Sequence, residues 1–136
     1  MELENIRTLL IETKKAKSEY ETAINKLSNE EEKTLKEKNL SIGNDSDLDK
    51  IVEISMELSE EYKTDELYRN HAKKCDSFIF AGLDYIINNP PDGNGYKAKI
   101  KTLQELKEIL THDIYKIVIY RERIFNILSK FSFFKN

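Results

Sequence analysis

Two histidines and a single cysteine are the residues best suited to chemistry in this 136-residue sequence. His71 and Cys75 stand four residues apart, which places both side chains on one face of a helix, where they can hold one metal ion. A closed zinc site needs two further ligands, and His112 is the obvious third. If helices on either side of the proline-rich segment form a hairpin, however, His112 lies about 10 Å from His71, too far for a shared ion. We therefore expect no metal and no cofactor, and we interpret His71 and Cys75 as structural residues.

Two other patterns resemble sites but lack necessary parts. Arg69 and His71 are chemically suited to phosphate, but residues two apart on a helix point about 200° apart. Asp45, Asp47 and Asp49 alternate as at the start of a calcium loop, without the glycine and glutamate that such a loop requires further on. We therefore expect a protein that is not an enzyme, with a divergent small helical nuclease as the third-ranked alternative.

The spacing of apolar residues predicts an all-α protein. Only four glycines and two prolines interrupt the chain, and from Leu3 to Leu27 a stripe recurs every three or four positions that is apolar except at Thr13 and Lys17. This pattern predicts a long N-terminal helix with coiled-coil character. We expect a single domain over residues 1–136, built as a four-helix bundle with helices at about 2–38, 46–62, 65–88 and 102–131.

Three segments of this predicted bundle need comment. The apolar stripes on either side of Lys63 differ in phase, which predicts two helices meeting there, with one kinked helix as the alternative. Residues 114–120 are rich in β-branched and aromatic side chains, so a strand is the alternative to a helix. Residues 89–101 are predicted to form a loop, extended over 96–101, and Thr102 then begins a capping box.

The charge of the chain is divided unevenly, although its net value is only −3. Residues 1–95 carry 13 Lys and Arg against 21 Asp and Glu, whereas residues 96–136 carry 9 against 4. Complementary packing of acidic and basic helices is the simplest interpretation, and nucleic-acid binding or mimicry is the alternative. Candidate binding residues occur in one basic and one acidic group. They are Tyr96, Lys97, Lys99 and Lys101, and, on one side of the second helix, Glu53, Glu57 and Glu60.

Protein–protein interaction is the function that the sequence favours. The predicted C-terminal helix has apolar residues on more than one side, which is typical of a helix shared with another chain, and Val118 is the residue we select to test this. We expect a non-enzymatic interaction module, acting as a small bacterial or phage regulator or inhibitor, whose partner is another protein or a second copy of itself in a homodimer. The N-terminus lacks the features of a signal peptide and no stretch is apolar enough to span a membrane, so we expect a cytoplasmic protein.

Overall fold

The computed structural model describes residues 1–90 and 96–135, except for the side chains of residues 96–98. Over these residues the chain forms five α-helices and no β-strand. The helices are α1 (Leu3–Glu37), α2 (Leu48–Glu61), α3 (Thr64–Asn88), α4 (Tyr96–His112) and α5 (Ile114–Leu128). Short 3-10 turns lie at Asp45–Asp47 and Ser132–Phe134. The all-α prediction and the long N-terminal helix are confirmed, and residues 114–120 are helical rather than extended.

The prediction of one continuous C-terminal helix is wrong, because Asp113 divides this segment into two helices. Asp113 has an extended backbone, with φ −120° and ψ 96°, and its Oδ1 accepts a hydrogen bond from the Tyr115 N–H at 3.1 Å. This carboxylate caps the N-terminus of α5, so the predicted helix 102–131 is divided between α4 and α5, and residues 129–131 lie beyond the end of α5. The described residues thus form five helices where four were predicted, and the bundle arrangement stays a prediction.

The start of α4 also differs from the prediction. α4 begins at Tyr96, so the expectation of an extended segment over 96–101 is wrong, and Thr102 lies inside a helix rather than at its cap. Alternation of apolar residues and lysines over six positions suggested a strand, but lysine and alanine are good helix formers. Of the predicted loop 89–101, residues 91–95 lie outside the described residues.

A residue with a left-handed backbone conformation follows each of the first two helices. Asn39 has φ 57°, and beyond it the Leu40 N–H donates to the Leu35 carbonyl at 2.9 Å, as in a Schellman-type helix end. Lys63 has φ 54° and separates α2 from α3. The prediction of two helices meeting at Lys63 is therefore confirmed over the kinked-helix alternative.

The chain divides into two compact units. The terminal unit comprises Met1–Lys14 and Ala72–Asn136, and the central unit comprises Lys15–His71. Two compact units can belong to one domain, so the predicted single domain stays a prediction.

The central unit has a small core made by α1 and α2. Its buried residues are Leu27, Leu35, Ile54 and Leu58, and Leu40, Ile51 and Tyr62 pack against them. Tyr20 on α1 also meets Tyr68 on α3 edge to face, with ring centroids 5.4 Å apart. Burial of Ile54 and Leu58 in this core fixes which side of α2 faces inward and which side faces solvent.

The terminal unit has the larger core, with aromatic rings at its centre. Phe78 on α3 makes edge-to-face contacts with Phe125 on α5 and with Phe134, at centroid distances of 5.4 and 5.5 Å. A Cβ atom at Gly82 would stand 3.4 Å from the Phe134 ring, so glycine allows this ring to lie close to α3. The Arg7 Nε–H donates to the Phe133 carbonyl at 2.9 Å, which ties the start of α1 to the C-terminal segment.

Candidate interaction surface

One side of α2 combines acidic and apolar side chains on an exposed face of the central unit. We call it the α2 surface, a shallow depression of about 530 Å³ lined by Asp49, Val52, Glu53, Met56, Glu57 and Glu60. Val52 is 47% exposed and Met56 61% exposed. They lie four residues apart, one above the other on the helix, and the acidic residues stand beside them. The surface therefore offers an apolar strip with an anionic border.

The helical period explains how this face forms. Ile54 and Leu58 are buried in the core of the central unit, and the residues of the α2 surface lie on other sides of the helix. The spacing of apolar residues in the sequence predicts an inner face of α2 that comprises Leu48, Ile51, Val52, Ser55, Leu58 and Tyr62. That prediction is wrong for Leu48 and Val52, because both are exposed. Because Ile54 is buried, the side of α2 that faces the core is displaced around the helix axis from the predicted stripe.

In the described part of the chain, the acidic side chains of this surface form no ion pairs with neighbouring cations. No ion pair among the described residues includes Glu53, Glu57 or Glu60. The structure brings these three predicted residues together on the exposed face, and their role in binding stays a prediction. The central unit as a whole carries 9 Lys and Arg against 15 Asp and Glu. The α2 surface thus lies in the acidic part of the chain.

The predicted basic group is arranged differently. The side chains of Tyr96 and Lys97 lie outside the described residues, and Lys99 and Lys101 are exposed on α4. On an extended strand these lysines would point to one side, but on a helix residues two apart point about 200° apart. Accordingly Lys99 lines a groove of the terminal unit that Lys101 does not line. Lys99 and Lys101 therefore do not form one continuous row of cations, as they would on the extended segment that the sequence predicted.

A second apolar face lies on α5. We call it the α5 surface, and it consists of Ile114, Tyr115, Val118 and Ile119, all of them exposed. Ile117, Phe125 and Leu128 of the same helix are buried in the core of the terminal unit. Val118 itself is 53% exposed, so the structure places it on the outside of the helix, where the sequence analysis proposed a contact with another chain.

The terminal unit also contains an apolar groove that the sequence analysis missed. This groove, which we call the α4 groove, has a volume of about 440 Å³. Among the described residues, its lining consists of Leu83, Ile86, Lys99, Thr102, Leu103, Leu106, Ile124, Ile127, Leu128 and Phe131. Nine of these ten residues carry no charge, and the apolar ones follow the spacing of a helix core. The one feature of the sequence that could have indicated this groove is the excess of apolar residues around α5, which the sequence analysis assigned to a contact with another chain.

The two histidines and the cysteine are not among the residues that form these surfaces. Cys75 is 1% exposed within the core of the terminal unit, as expected for a structural thiol. His71 is partly exposed in the central unit, and His112 is exposed at the end of α4. In the described part of the chain, no three His, Cys, Asp or Glu side chains are grouped so that they could hold a metal ion.

Comparisons with known proteins identified no relative of this chain. No known protein family matches this chain, and no curated protein or solved structure is significantly similar to it. Among the described helices, none is both long and apolar enough to cross a lipid bilayer.

Proposed function

We propose that this protein is a non-enzymatic interaction module that binds another protein through the α2 surface. The observation that carries the proposal is the pairing of Val52 and Met56, both exposed, with unneutralised glutamates on the same face of one helix. Exposed apolar patches with polar borders are typical of protein-binding sites. The predicted regulator or inhibitor role in the cytoplasm is part of this proposal.

The chemistry of the α2 surface defines the partner that it fits. Apolar side chains at positions 52 and 56 match an apolar stripe on a partner helix, whose anchors recur every three or four residues. The border of Asp49, Glu53, Glu57 and Glu60 favours Lys or Arg beside that stripe and disfavours acidic partners. We therefore infer that the partner presents a basic amphipathic helix, and that charge attraction accelerates the encounter.

In-cell photo-crosslinking tests this proposal at the surface itself. A photoreactive phenylalanine analogue replaces Met56 in one version of the protein and Ile42 in the control version. Ile42 is 77% exposed and lies in the connection between α1 and α2, outside the α2 surface. We expect position 56 to yield a discrete adduct that position 42 does not yield. Mass spectrometry should place the crosslink in a partner segment with Lys or Arg beside apolar residues at helical spacing.

Two outcomes of this experiment would contradict the proposal. One is the same pattern of adducts from positions 42 and 56, which would indicate random collision. The other is a crosslinked partner segment that is acidic, because its charge would oppose the glutamates of the α2 surface.

Self-association through the α5 surface is the second candidate function. Four apolar side chains of the first two turns of α5 are exposed on the terminal unit: Ile114, Tyr115, Val118 and Ile119. They form a patch that a second copy of the chain could cover with its own α5 in a twofold dimer, because such an interface uses the same patch on both subunits. Light scattering at increasing protein concentration tests this, and a monomer mass at high micromolar concentration would exclude it.

A further inference from the structure

The exposed side of α5 carries two cations beside its apolar residues. Lys116 and Arg123 are exposed, and no ion pair among the described residues includes either of them. They stand seven residues apart, which places them two turns apart on one side of the helix, next to Tyr115 and Ile119 of the α5 surface. Glu122 is the single acidic residue of α5. The exposed side of α5 therefore has the form of a basic amphipathic helix, the element that fits the α2 surface.

The charged residues lie on the same side of the apolar strip in α2 and in α5. On α2, Glu53 lies about 100° further around the helix than Val52. On α5, Lys116 lies about 100° further around than Tyr115, in the same sense. Corresponding sides of two facing helices meet when the helices are antiparallel, and they lie apart when the helices are parallel. An antiparallel pair therefore brings the acidic side of α2 against the basic side of α5.

The apolar strips of the two helices have the same spacing. Val52 and Met56 are four residues apart on α2, and Tyr115 and Ile119 are four residues apart on α5. All four side chains are exposed. In an antiparallel pair, Val52 faces Ile119 while Met56 faces Tyr115, so both apolar contacts form in one register.

The charges match in this same register. Lys116 lies within one turn of Glu57 along the paired helices, and Arg123 lies within one turn of Asp49. Both carboxylates belong to the border of the α2 surface. Apolar spacing and charge therefore select one arrangement of α2 against α5.

The net charges of the two units favour a contact between unlike units of two copies. The terminal unit carries 13 Lys and Arg against 10 Asp and Glu, whereas the central unit carries 9 against 15. The terminal unit of one copy and the central unit of another therefore attract each other, and two terminal units repel each other. This difference favours pairing of α5 with α2 over pairing of α5 with a second α5.

We propose that the occupant of the α2 surface is α5 of a second copy of this chain, bound antiparallel to α2. Two different surfaces meet in this contact, so the copies associate head to tail and form a closed ring or an open chain. The inference rests on the proposed function, because it takes the α2 surface as the binding site and names its partner.

Two variants that each lack one surface test the head-to-tail contact. Glu53→Lys/Glu57→Lys/Glu60→Lys alters the α2 surface, and Ile119→Glu places a carboxylate in the apolar strip of α5. Light scattering at low salt should show that the wild type self-associates as its concentration rises and that each variant alone stays monomeric. Their equimolar mixture should form a one-to-one dimer and no larger species, because it contains one intact α5 and one intact α2 surface. Ile109→Glu is the control for Ile119→Glu and should self-associate as the wild type does, since Ile109 is a half-exposed residue of α4 outside both surfaces.

Three results of this experiment would overturn the proposal. The first is a wild type that stays monomeric at high micromolar concentration. The second is self-association of the α2-surface variant alone, which would indicate a contact between two α5 surfaces. The third is a mixture in which both variants stay monomeric.

A charge exchange tests the register. Asp49→Lys/Glu57→Lys and Lys116→Glu/Arg123→Glu should each weaken self-association at low salt by at least about tenfold, because each opposes like charges across the contact. A chain that carries all four substitutions has the wild-type net charge and should recover most of the lost affinity. Failure of this chain to recover, with its helical circular dichroism spectrum intact, would overturn the antiparallel pairing.

Isotope-coded crosslinking separates this inference from the proposed function. Unlabelled and ¹⁵N-labelled chains, both with the photoreactive residue at position 56, are mixed before irradiation, and adducts to residues 114–123 should join chains of different label. Adducts that always join residues of equal label would place the contact within one chain and overturn the inference. Capture in cells of a basic amphipathic segment from a different protein, with no adduct to residues 114–123, would overturn the inference and leave the proposed function standing.

Discussion

Arg121 on α5 and Asp76 on α3 form a two-pronged ion pair within the terminal unit. The Arg121 Nε–H donates to Asp76 Oδ1 at 2.6 Å, and the Nη2–H donates to Oδ2 at 3.0 Å. Their side chains are 15% and 28% exposed, so water screens the pair only partly. Because the guanidinium meets the carboxylate edge to edge, the pair restrains the rotation of α5 about its axis. In this orientation of α5, Ile117 is in the core and Val118 is exposed to solvent.

Removing the charge of Asp76 should therefore destabilise the protein. Asp76→Asn should cost about 1–3 kcal/mol of unfolding free energy, because it weakens two charge-assisted hydrogen bonds in a partly buried position. Arg121→Lys should also cost stability, since an ammonium group cannot make both parallel hydrogen bonds. Urea denaturation followed by circular dichroism measures both effects.

A surface pair supplies the matched control for this measurement. Asp65→Asn removes the Asp65–Arg69 pair, whose side chains are 75% and 78% exposed, and should leave the denaturation midpoint almost unchanged. Equal shifts for Asp76→Asn and Asp65→Asn would show that the pair of Arg121 and Asp76 is energetically an ordinary surface contact.

Alanine substitution distinguishes Asp113, the cap of α5 in the structure, from Thr102, the cap predicted from the sequence. Asp113→Ala should cost about 1 kcal/mol, because it removes the acceptor of the Tyr115 N–H at the start of α5. Thr102→Ala should cost nothing or slightly stabilise the protein, since Thr102 lies inside α4, where alanine is the better helix former. A larger loss for Thr102→Ala would contradict the division at Asp113.

The sequence predicted the helices best where hydrophobic periodicity and stop signals agreed. α1 and the junction at Lys63 follow directly from apolar spacing and from a change in its phase. The division at Asp113 was missed because a cap of one residue leaves the apolar pattern on both sides almost continuous. The start of α4 was missed because a short alternation of apolar and basic residues fits a strand and a helix equally well.

The candidate surfaces could be predicted only in part, for a different reason. Grouping of Glu53, Glu57 and Glu60 follows from helical spacing within one element, and spacing is visible in a sequence. Exposure of Val52 depends on which side of α2 packs against α1, and a single sequence does not carry that information. The α4 groove depends on three separate segments of the chain, so nothing local in the sequence indicates it.

Val118 and its neighbour Ile117 provide a paired test of self-association. Val118→Glu should leave the fold intact, because its side chain is on the outside of α5, and should convert a dimer to a monomer in light scattering. Ile117→Glu should instead unfold the protein, because it would bury an unpaired charge. Dimers that persist in the Val118→Glu variant would exclude the α5 surface as the contact.

Substitution of Cys75 should affect stability and leave binding unchanged. Cys75→Ala or Cys75→Ser should cost about 1–3 kcal/mol, because the thiol lies in the core of the terminal unit. Partner binding should be retained when measured well below the unfolding temperature. Stoichiometric zinc that survives dialysis against a mild chelator, and is lost in either variant, would contradict a purely structural role.

Charge reversal provides the most direct test of binding at the α2 surface. The test variant is Glu53→Lys/Glu57→Lys/Glu60→Lys. Its control is Glu19→Lys/Glu37→Lys/Glu61→Lys, which makes the same change in net charge at exposed positions of the central unit outside the α2 surface. Because both variants alter total charge equally, any difference between them reports the position of the charges.

The decisive measurement is the association rate of each variant with the partner identified by crosslinking at position 56, recorded by stopped flow at low salt. We predict that the α2-surface variant associates at least about tenfold more slowly than the wild type and that the control stays within about twofold, because steering depends on charges at the contact. The difference should shrink as salt is added. Wild-type association rates in the α2-surface variant, or equal losses in both variants, would contradict the proposal that this face of α2 is the binding site.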